Sequence, residues 1–263
     1  MSVARPGVVG RYTNDLVYER LAPGILEELQ KLNRLQGDFL AAVSHELRTP
    51  LTCILAFVEL LEIPGFSQEE RQQNLQDLRE SATQLLYMIN NLLDTAKLDS
   101  VRIRLDNKNQ QPKQLILGIV KAFGPLARKK GLELELELAE DLPPVYCDPE
   151  RVKQVMVNLL GNAVKFTAPG GKVSVSIQTD RQKPDRVIFS VSDNGPGINK
   201  ADQPFIFERF RQGGKWANNR PPGSGLGLYL SKGLVEMQGG EIWLQSEPGR
   251  GATFSCTLPT ASC

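Results

Sequence analysis

Apolar positions recur at helical spacing from Ile25 through Leu29 and Leu32 as far as Leu61. At about 100° per residue, Leu40, Val43, Leu47, Leu51, Ile54, Val58 and Leu61 fall on one stripe, which predicts a long amphipathic helix. Ile63-Pro64-Gly65-Phe66 closes it as a turn. Ser67, with Glu70 three residues on, is a capping-box start for a second helix. The seam of that helix runs Leu75, Leu78, Ala82, Leu85, Ile89, Leu92, Ala96, in steps of 3 and 4. Two long helices and a short turn predict an antiparallel hairpin. A single hairpin buries both stripes poorly, so the expected solution is a homodimer pairing two hairpins into a four-helix bundle. Folding back of the hairpin on the rest of its own chain is the alternative.

Beyond about Asp106 the pattern becomes mixed α and β. Helices are expected over 112–129, over 148–166 with Asp148-Pro149 at the cap, and from about Gly225 to Met237. Alternating strands are expected over 132–138 (LELELEL), 172–179, 186–192, 241–246 and 253–258, the last two separated by the turn Pro248-Gly249-Arg250-Gly251. The fold class is therefore α plus α/β, with helices on one face of a mixed sheet. Its divisions are a lead segment 1–27 without assignable role, a helical hairpin 28–104 and an α/β domain 105–263.

Composition removes several classes of function. Thirty-one basic against 30 acidic residues leave a net charge of +1, which argues for neither nucleic acid nor a membrane surface as partner. Cys53, Cys147, Cys256 and Cys263 show no CxxC spacing, so a reducing compartment is expected. The most apolar run, Leu51 to Leu61, is short and broken by Thr52 and Glu59, so neither a spanning segment nor a signal peptide is expected, and a cytoplasmic location follows.

The only histidine, His45, lies within the first long helix, roughly 160° from the centre of its apolar stripe. An outward imidazole can act as nucleophile or general base. Thr49 is one turn on, on the same face, where its hydroxyl can position a water or a phosphoryl oxygen. Glu46 is about 100° round the helix, so its pairing with the ring is not automatic. Pro50 predicts a kink. One histidine and scattered cysteines offer no ligand set for a transition metal.

Three clusters in the second half carry chemistry. Asn158, Asn162 and Lys165, at i, i+4 and i+7, share one helix face that suits a divalent cation and phosphate oxygens, although a solvated polar face fits equally. Asp193-Asn194-Gly195-Pro196-Gly197 follows a strand; it could accept from the exocyclic amine of a base, or be a plain turn. Gly223-Ser224-Gly225-Leu226-Gly227-Leu228 opens a helix as an anion cradle, yet it is neither a Walker loop nor a dinucleotide fingerprint. Each alone is weak.

Together they resemble the sensor histidine kinases. SHELRTP (44–50) resembles the phosphoacceptor box, NLLGNAVKFT (158–167) the asparagine box, SDNGPGI (192–198) the first glycine box, PFIFERF (204–210) the phenylalanine box and GSGLGL (223–228) the second. The five occur in family order over about 35–258. The resemblance implies a dimeric phosphoacceptor hairpin and a Bergerat-type ATP-binding sandwich. It implies that His45 takes the γ-phosphoryl group of ATP, with Glu46 as its base. Asn162 would hold Mg²⁺, Asn158 and Lys165 would contact phosphates, and Asp193 would read adenine. Gly195, Gly197, Ile198, Gly223, Gly225, Leu226 and Gly227 would shape the pocket under a lid of residues 199–223. Thr49 matches a position associated with phosphatase activity on the partner, a response regulator whose aspartate receives the phosphate. Many relatives carry arginine where Gln212 stands, which leaves Arg209 or Arg211 as substitutes. No receiver domain or sensor is recognisable. A nucleotide-binding scaffold without catalysis, or an ATPase of gyrase or Hsp90 type, are the competing readings.

Overall fold

The computed structural model describes residues 23–100, 103–209 and 225–261, so most of the lead segment lies outside the described residues. Helix α1, Pro23–Glu62, starts within the last residues of that segment, with proline in its first turn. It runs as one helix through Pro50, the position of the expected kink. After the turn, α2 (Gln68–Asp99) opens on the expected capping box: the Glu70 N–H donates to Ser67 Oγ at 3.2 Å and the Ser67 N–H to Glu70 Oε2 at 2.8 Å.

The seam predicted for α2 divides in two. Leu78, Leu85 and Leu92 are half-buried, whereas Leu75, Ala82, Ile89 and Ala96 are exposed. With Leu86 and Leu93, the exposed set forms a second apolar row in steps of 4, 3, 4 and 3: 82, 86, 89, 93, 96. The stripe of α1 divides likewise: Leu47, Ile54 and Leu61 are half-buried, and Leu51 and Val58 exposed. One helix partner covers only the half of a heptad seam that faces it.

A two-stranded antiparallel sheet of β1 (Lys108–Gln110) and β3 (Val145–Cys147), too short for any periodicity to show, then ties the chain after the hairpin to the start of α4. Helices α3 (Pro112–Lys129), α4 (Pro149–Phe166) and α5 (Gly227–Met237) lie on one face of a five-stranded sheet. Its order is β2-β4-β5-β7-β6: β2 (Glu133–Leu138), β4 (Lys172–Thr179), β5 (Arg186–Asp193), β7 (Gly251–Pro259) and β6 (Ile242–Glu247). β2 runs parallel to β4 and the other pairs are antiparallel, which makes the expected mixed sheet.

Register puts Val175 opposite Val191 and Val191 opposite Phe254, so one face is apolar and meets Leu159, Leu160 and Leu234 of the helices. The opposite face carries hydroxyls, with Ser190 against Ser255 and Ser192 against Thr253, each 2.8 Å apart. Cys53, Cys147 and Cys256 are free, and burial pushes the thiols of Cys147 and Cys256 up to about 12. Among the described residues no helix is long and apolar enough to cross a membrane.

Candidate active site

Helix α4 organises the site. Asp148 caps it, its Oδ1 accepting from the N–H groups of Glu150 and Arg151 at 3.0 and 3.2 Å, and its Oδ2 from Asp106 N–H at 3.0 Å. At the far end Lys130 Nζ donates to the carbonyls of Val164 and Lys165, both at 2.7 Å, satisfying groups that the helix leaves open. Between the ends Asn158, Asn162 and Lys165 are half-buried along one line, as the spacing requires.

The glycine turns meet α4 at two levels. Gly195, after β5, abuts its C-terminal end: a Cβ there would come within 3.2 Å of the Phe166 carbonyl oxygen and 2.8 Å of Asp193 Oδ1. The Gly195 N–H donates to Asp193 Oδ1 at 2.9 Å, fixing the carboxylate at the strand end. Burial raises the pKa of Asp193, opposed by hydrogen bonds from the N–H groups of Gly195 and Ala252. Gly197 has φ of 67°, and a side chain there would strike the Glu247 carbonyl. Ile198 is half-buried, and its N–H donates to Ser246 Oγ at 2.9 Å.

At mid-helix, Gly227, the first residue of α5, approaches so closely that a Cβ would overlap Asn158 Oδ1, while Asn158 Nδ2 donates to Ser231 Oγ at 2.9 Å. Gly225 takes a left-handed φ of 66° to feed that approach. Three clusters far apart in sequence thus gather round one helix. Within the expected lid, Gln203–Phe205 is a short 3₁₀ turn, and Gln203 Nε2 donates to the carbonyls of Ile198 and Ser246. Phe207 packs edge-on to Phe254, with centroids 6.3 Å apart. Arg211, Gln212, Gly213-Gly214 and Gly223 lie outside the described residues.

On the hairpin His45 is exposed, as its position on the helix required. Thr49 shares that exposed face, but its Oγ1 donates to the His45 carbonyl at 3.1 Å rather than serving the ring. Glu46 points elsewhere. It is only 8% exposed, and its Oε1 is buried without a hydrogen-bond partner among the described residues. It lines a cavity of about 10 Å³ with Val43, Leu47, Met88 and Leu92 of the hairpin and Leu226 ahead of α5. Burial raises the Glu46 pKa, opposed first by the charge of Lys165 and then by His45. Lys165 is the reciprocal case, its pKa lowered by burial and raised by Glu46.

Sequence reasoning missed the residues that hold these halves together. Arg151 Nη1 donates to Asp94 Oδ2 at 2.7 Å and to Gln154 Oε1 at 2.9 Å. Gln154 Nε2 reaches Asn91 Oδ1 at 3.1 Å and Asp94 Oδ2 at 3.0 Å. Below them Leu98 fills the notch at Gly233, where a Cβ would overlap it. A signal was present: Arg151 and Gln154 extend the Asn158–Asn162–Lys165 line backwards at spacings of 3 and 4.

Comparison with known proteins agrees with this geometry. Residues 35–101 match the His Kinase A (phospho-acceptor) domain, and residues 147–262 the histidine kinase-, DNA gyrase B-, and HSP90-like ATPase domain. The virulence sensor protein BvgS of Bordetella bronchiseptica is 40% identical over 234 residues, 88% of this chain and 19% of that protein. The circadian input-output histidine kinase CikA of Synechococcus elongatus is 35% identical over 88% of this chain and 31% of its own length. Thus the chain spans between about a fifth and a third of these relatives. Among solved structures, full-length ShkA in complex with AMPPNP superposes with a TM-score of 0.62 at 32% identity, covering 85% of this chain and 46% of that one. The catalytic domain of histidine kinase ThkA gives 0.52 at 26% identity, over 59% of this chain and 97% of its own. The chain belongs to the sensor histidine kinase family, with a phosphoacceptor hairpin followed by an ATPase-type α/β domain.

Proposed function

We propose that this protein transfers the γ-phosphoryl group of ATP to His45 and passes it to an aspartate of a response regulator. The observation that carries the reading is the meeting of the two halves. An exposed imidazole, His45, is followed by a buried carboxylate, Glu46, in a cavity that Leu226 of the other half helps to line.

In the step, a ring nitrogen of His45 attacks the γ-phosphorus in line. The bond between that phosphorus and the β–γ bridging oxygen breaks, and ADP leaves with the electron pair. The imidazole proton passes to Glu46, whose raised pKa brings it closer to the working range of a general base. Asn158 and Lys165 hold phosphates, Asp193 reads the adenine amine, and Gly195, Gly197, Ile198, Gly223, Gly225, Leu226 and Gly227 shape the pocket.

The donor set fits a magnesium ion. Mg²⁺ keeps waters and takes few protein ligands besides substrate phosphates. Asn162, half-buried on α4 between Asn158 and Lys165, offers a single neutral amide oxygen of the kind such an ion takes. The ion would neutralise charge on the transferring group. Division at about residue 105, a homodimer through the exposed rows of the hairpin, a receiver-domain partner and a cytoplasmic setting complete the reading. Thr49 extends it to removal of phosphate from that partner.

Incubation with γ-labelled Mg-ATP tests it. Label that survives alkali, is lost in acid and is absent from His45→Gln is expected; label retained by His45→Gln would refute His45 as the acceptor. Nucleotide binding without any label would favour the scaffold, and turnover without a phosphoprotein the plain ATPase.

A further inference from the structure

We propose that Lys130 is a positioning residue for phosphate binding: its ammonium takes over the carbonyl end of α4, which leaves the ammonium of Lys165, in the last turn of that helix, to the nucleotide. The proposal rests on the ATP reading and adds to it a residue that lies outside all five boxes. Two lysines meet one helix end and divide the work.

The sequence leaves the end of α4 short of donors. The N–H and the hydroxyl of Thr167 both donate to the Ala163 carbonyl, at 3.0 and 2.6 Å. In a continuing helix the Lys165 carbonyl would take the N–H four residues on, but that residue is Pro169 and has none. Lys130 Nζ fills the gap, donating to the carbonyls of Val164 and Lys165, both at 2.7 Å. Its reach is fixed from its own end of the chain. Lys130 caps α3, its N–H donating to the Leu126 and Ala127 carbonyls. Gly131, at φ of 70°, then turns the chain so that its carbonyl accepts from the Gly170 N–H at 2.9 Å. The end of α3 and the turn after α4 are thereby tied, and the Lys130 side chain spans a set gap.

A lysine in the last turn of a helix can itself hydrogen-bond the last carbonyls, drawn by the negative end of the helix dipole. Lys165 stands in that turn, and its own carbonyl is one of the two that Lys130 holds. The Lys165 Nζ lies over the ring of Phe166, 5.1 Å from its centroid. The residue shares its helix face with Asn158 and Asn162. An ammonium there is a compact point charge suited to phosphate. Without Lys130, the two carbonyls would compete with the phosphates for that charge.

The test is a double-mutant cycle on the affinity of the whole chain for Mg-AMPPNP, measured by titration calorimetry. Lys130→Met keeps the stem, removes the charge and its donors, and is expected to weaken binding about five-fold, the lower end of typical couplings between sites. Lys130→Gln is the milder change and carries the same cycle if Lys130→Met does not fold. Lys130→Arg, which keeps the charge and the donors, should restore most of the affinity. In a Lys165→Met background, loss of Lys130 should cost nothing more, because it acts through that ammonium. Adenosine, lacking phosphates, should bind every variant alike. Unchanged Mg-AMPPNP affinity without Lys130 would overturn the proposal. So would losses that add in the double variant, or an equal loss for adenosine, since either means a general loosening of the pocket. Failure of the wild-type chain to bind Mg-AMPPNP at all would instead remove the ATP reading, and the role of Lys130 with it.

Discussion

Glu46 answers to two opposing electrostatic demands: burial raises its pKa, and the charges of Lys165 and His45 pull it back down, with burial the larger effect. A carboxyl whose pKa is higher in the folded than in the unfolded state binds more protons when folded. Its contribution to stability is therefore most favourable at low pH, and declines as pH rises from about the unfolded value of 4.5 through the folded one. Glu46→Gln should match wild type in denaturant midpoint below that window and exceed it above, a comparison that removes all other titrations. A constant difference across the range would mean that Glu46 is not desolvated. Asn162 makes a simpler prediction. Loss of its amide oxygen in Asn162→Ala should weaken Mg-AMPPNP binding about ten-fold, or ~1.4 kcal/mol, in a titration with and without magnesium. Equal affinity would exclude it from the metal position.

At the scale of elements, helix ends and close approaches decide what each segment can do. The reciprocal bonds of Ser67 and Glu70 start α2 directly after the turn, and Ser67→Ala should cost about 1 kcal/mol in chemical denaturation. The start of α5 is tighter. A methyl at 227 would overlap the Asn158 side chain, which already bonds Ser231, so Gly227→Ala must displace one or the other. We expect a loss of about 1–3 kcal/mol in stability together with weaker nucleotide binding; a variant that melts and binds like wild type would show that α5 can shift freely. Local patterning made most elements legible, including α3 and β4 with the ends they take in the structure. The strands β1 and β3 were not legible, since three residues carry no period and their pairing is set by partners 35 and more positions away.

Across the whole molecule, the exposed apolar rows on α1 and α2 call for a partner. Leu51, Leu55 and Val58 on α1 and Leu86, Ile89 and Leu93 on α2 are each 39–58% exposed. Apolar rows of this length on monomers mark interfaces. Replacing Leu86 and Leu93 with glutamate should convert a dimer to a monomer in analytical ultracentrifugation; a wild-type chain that sediments as a monomer would refute the four-helix pairing. Burying the second half of each heptad seam in that way leaves the docked face of α2, with Asn91, Asp94 and Leu98, for the catalytic half of the chain.

Periodicity by itself determined the hairpin, the outward bearing of His45, the alternation of the sheet and the shared face of Asn158, Asn162 and Lys165, because each follows from spacing within a single element. The resemblance of the five boxes, in their order, pointed to the family. What tertiary structure alone decided is which polar residues meet across elements. Glu46, adjacent to His45 in sequence and about 100° round the helix, is the clearest instance: whether it faced water or the catalytic half depended on how α4 seats on α2. That seating is set by Arg151, Gln154, Asn91 and Asp94, whose pairing spans some 57–63 positions. Local patterning puts Arg151 and Gln154 on the same helix face as Asn158, Asn162 and Lys165, but it does not name Asn91 and Asp94 as their partners, since each of those alone reads as an ordinary polar residue on a solvated helix face.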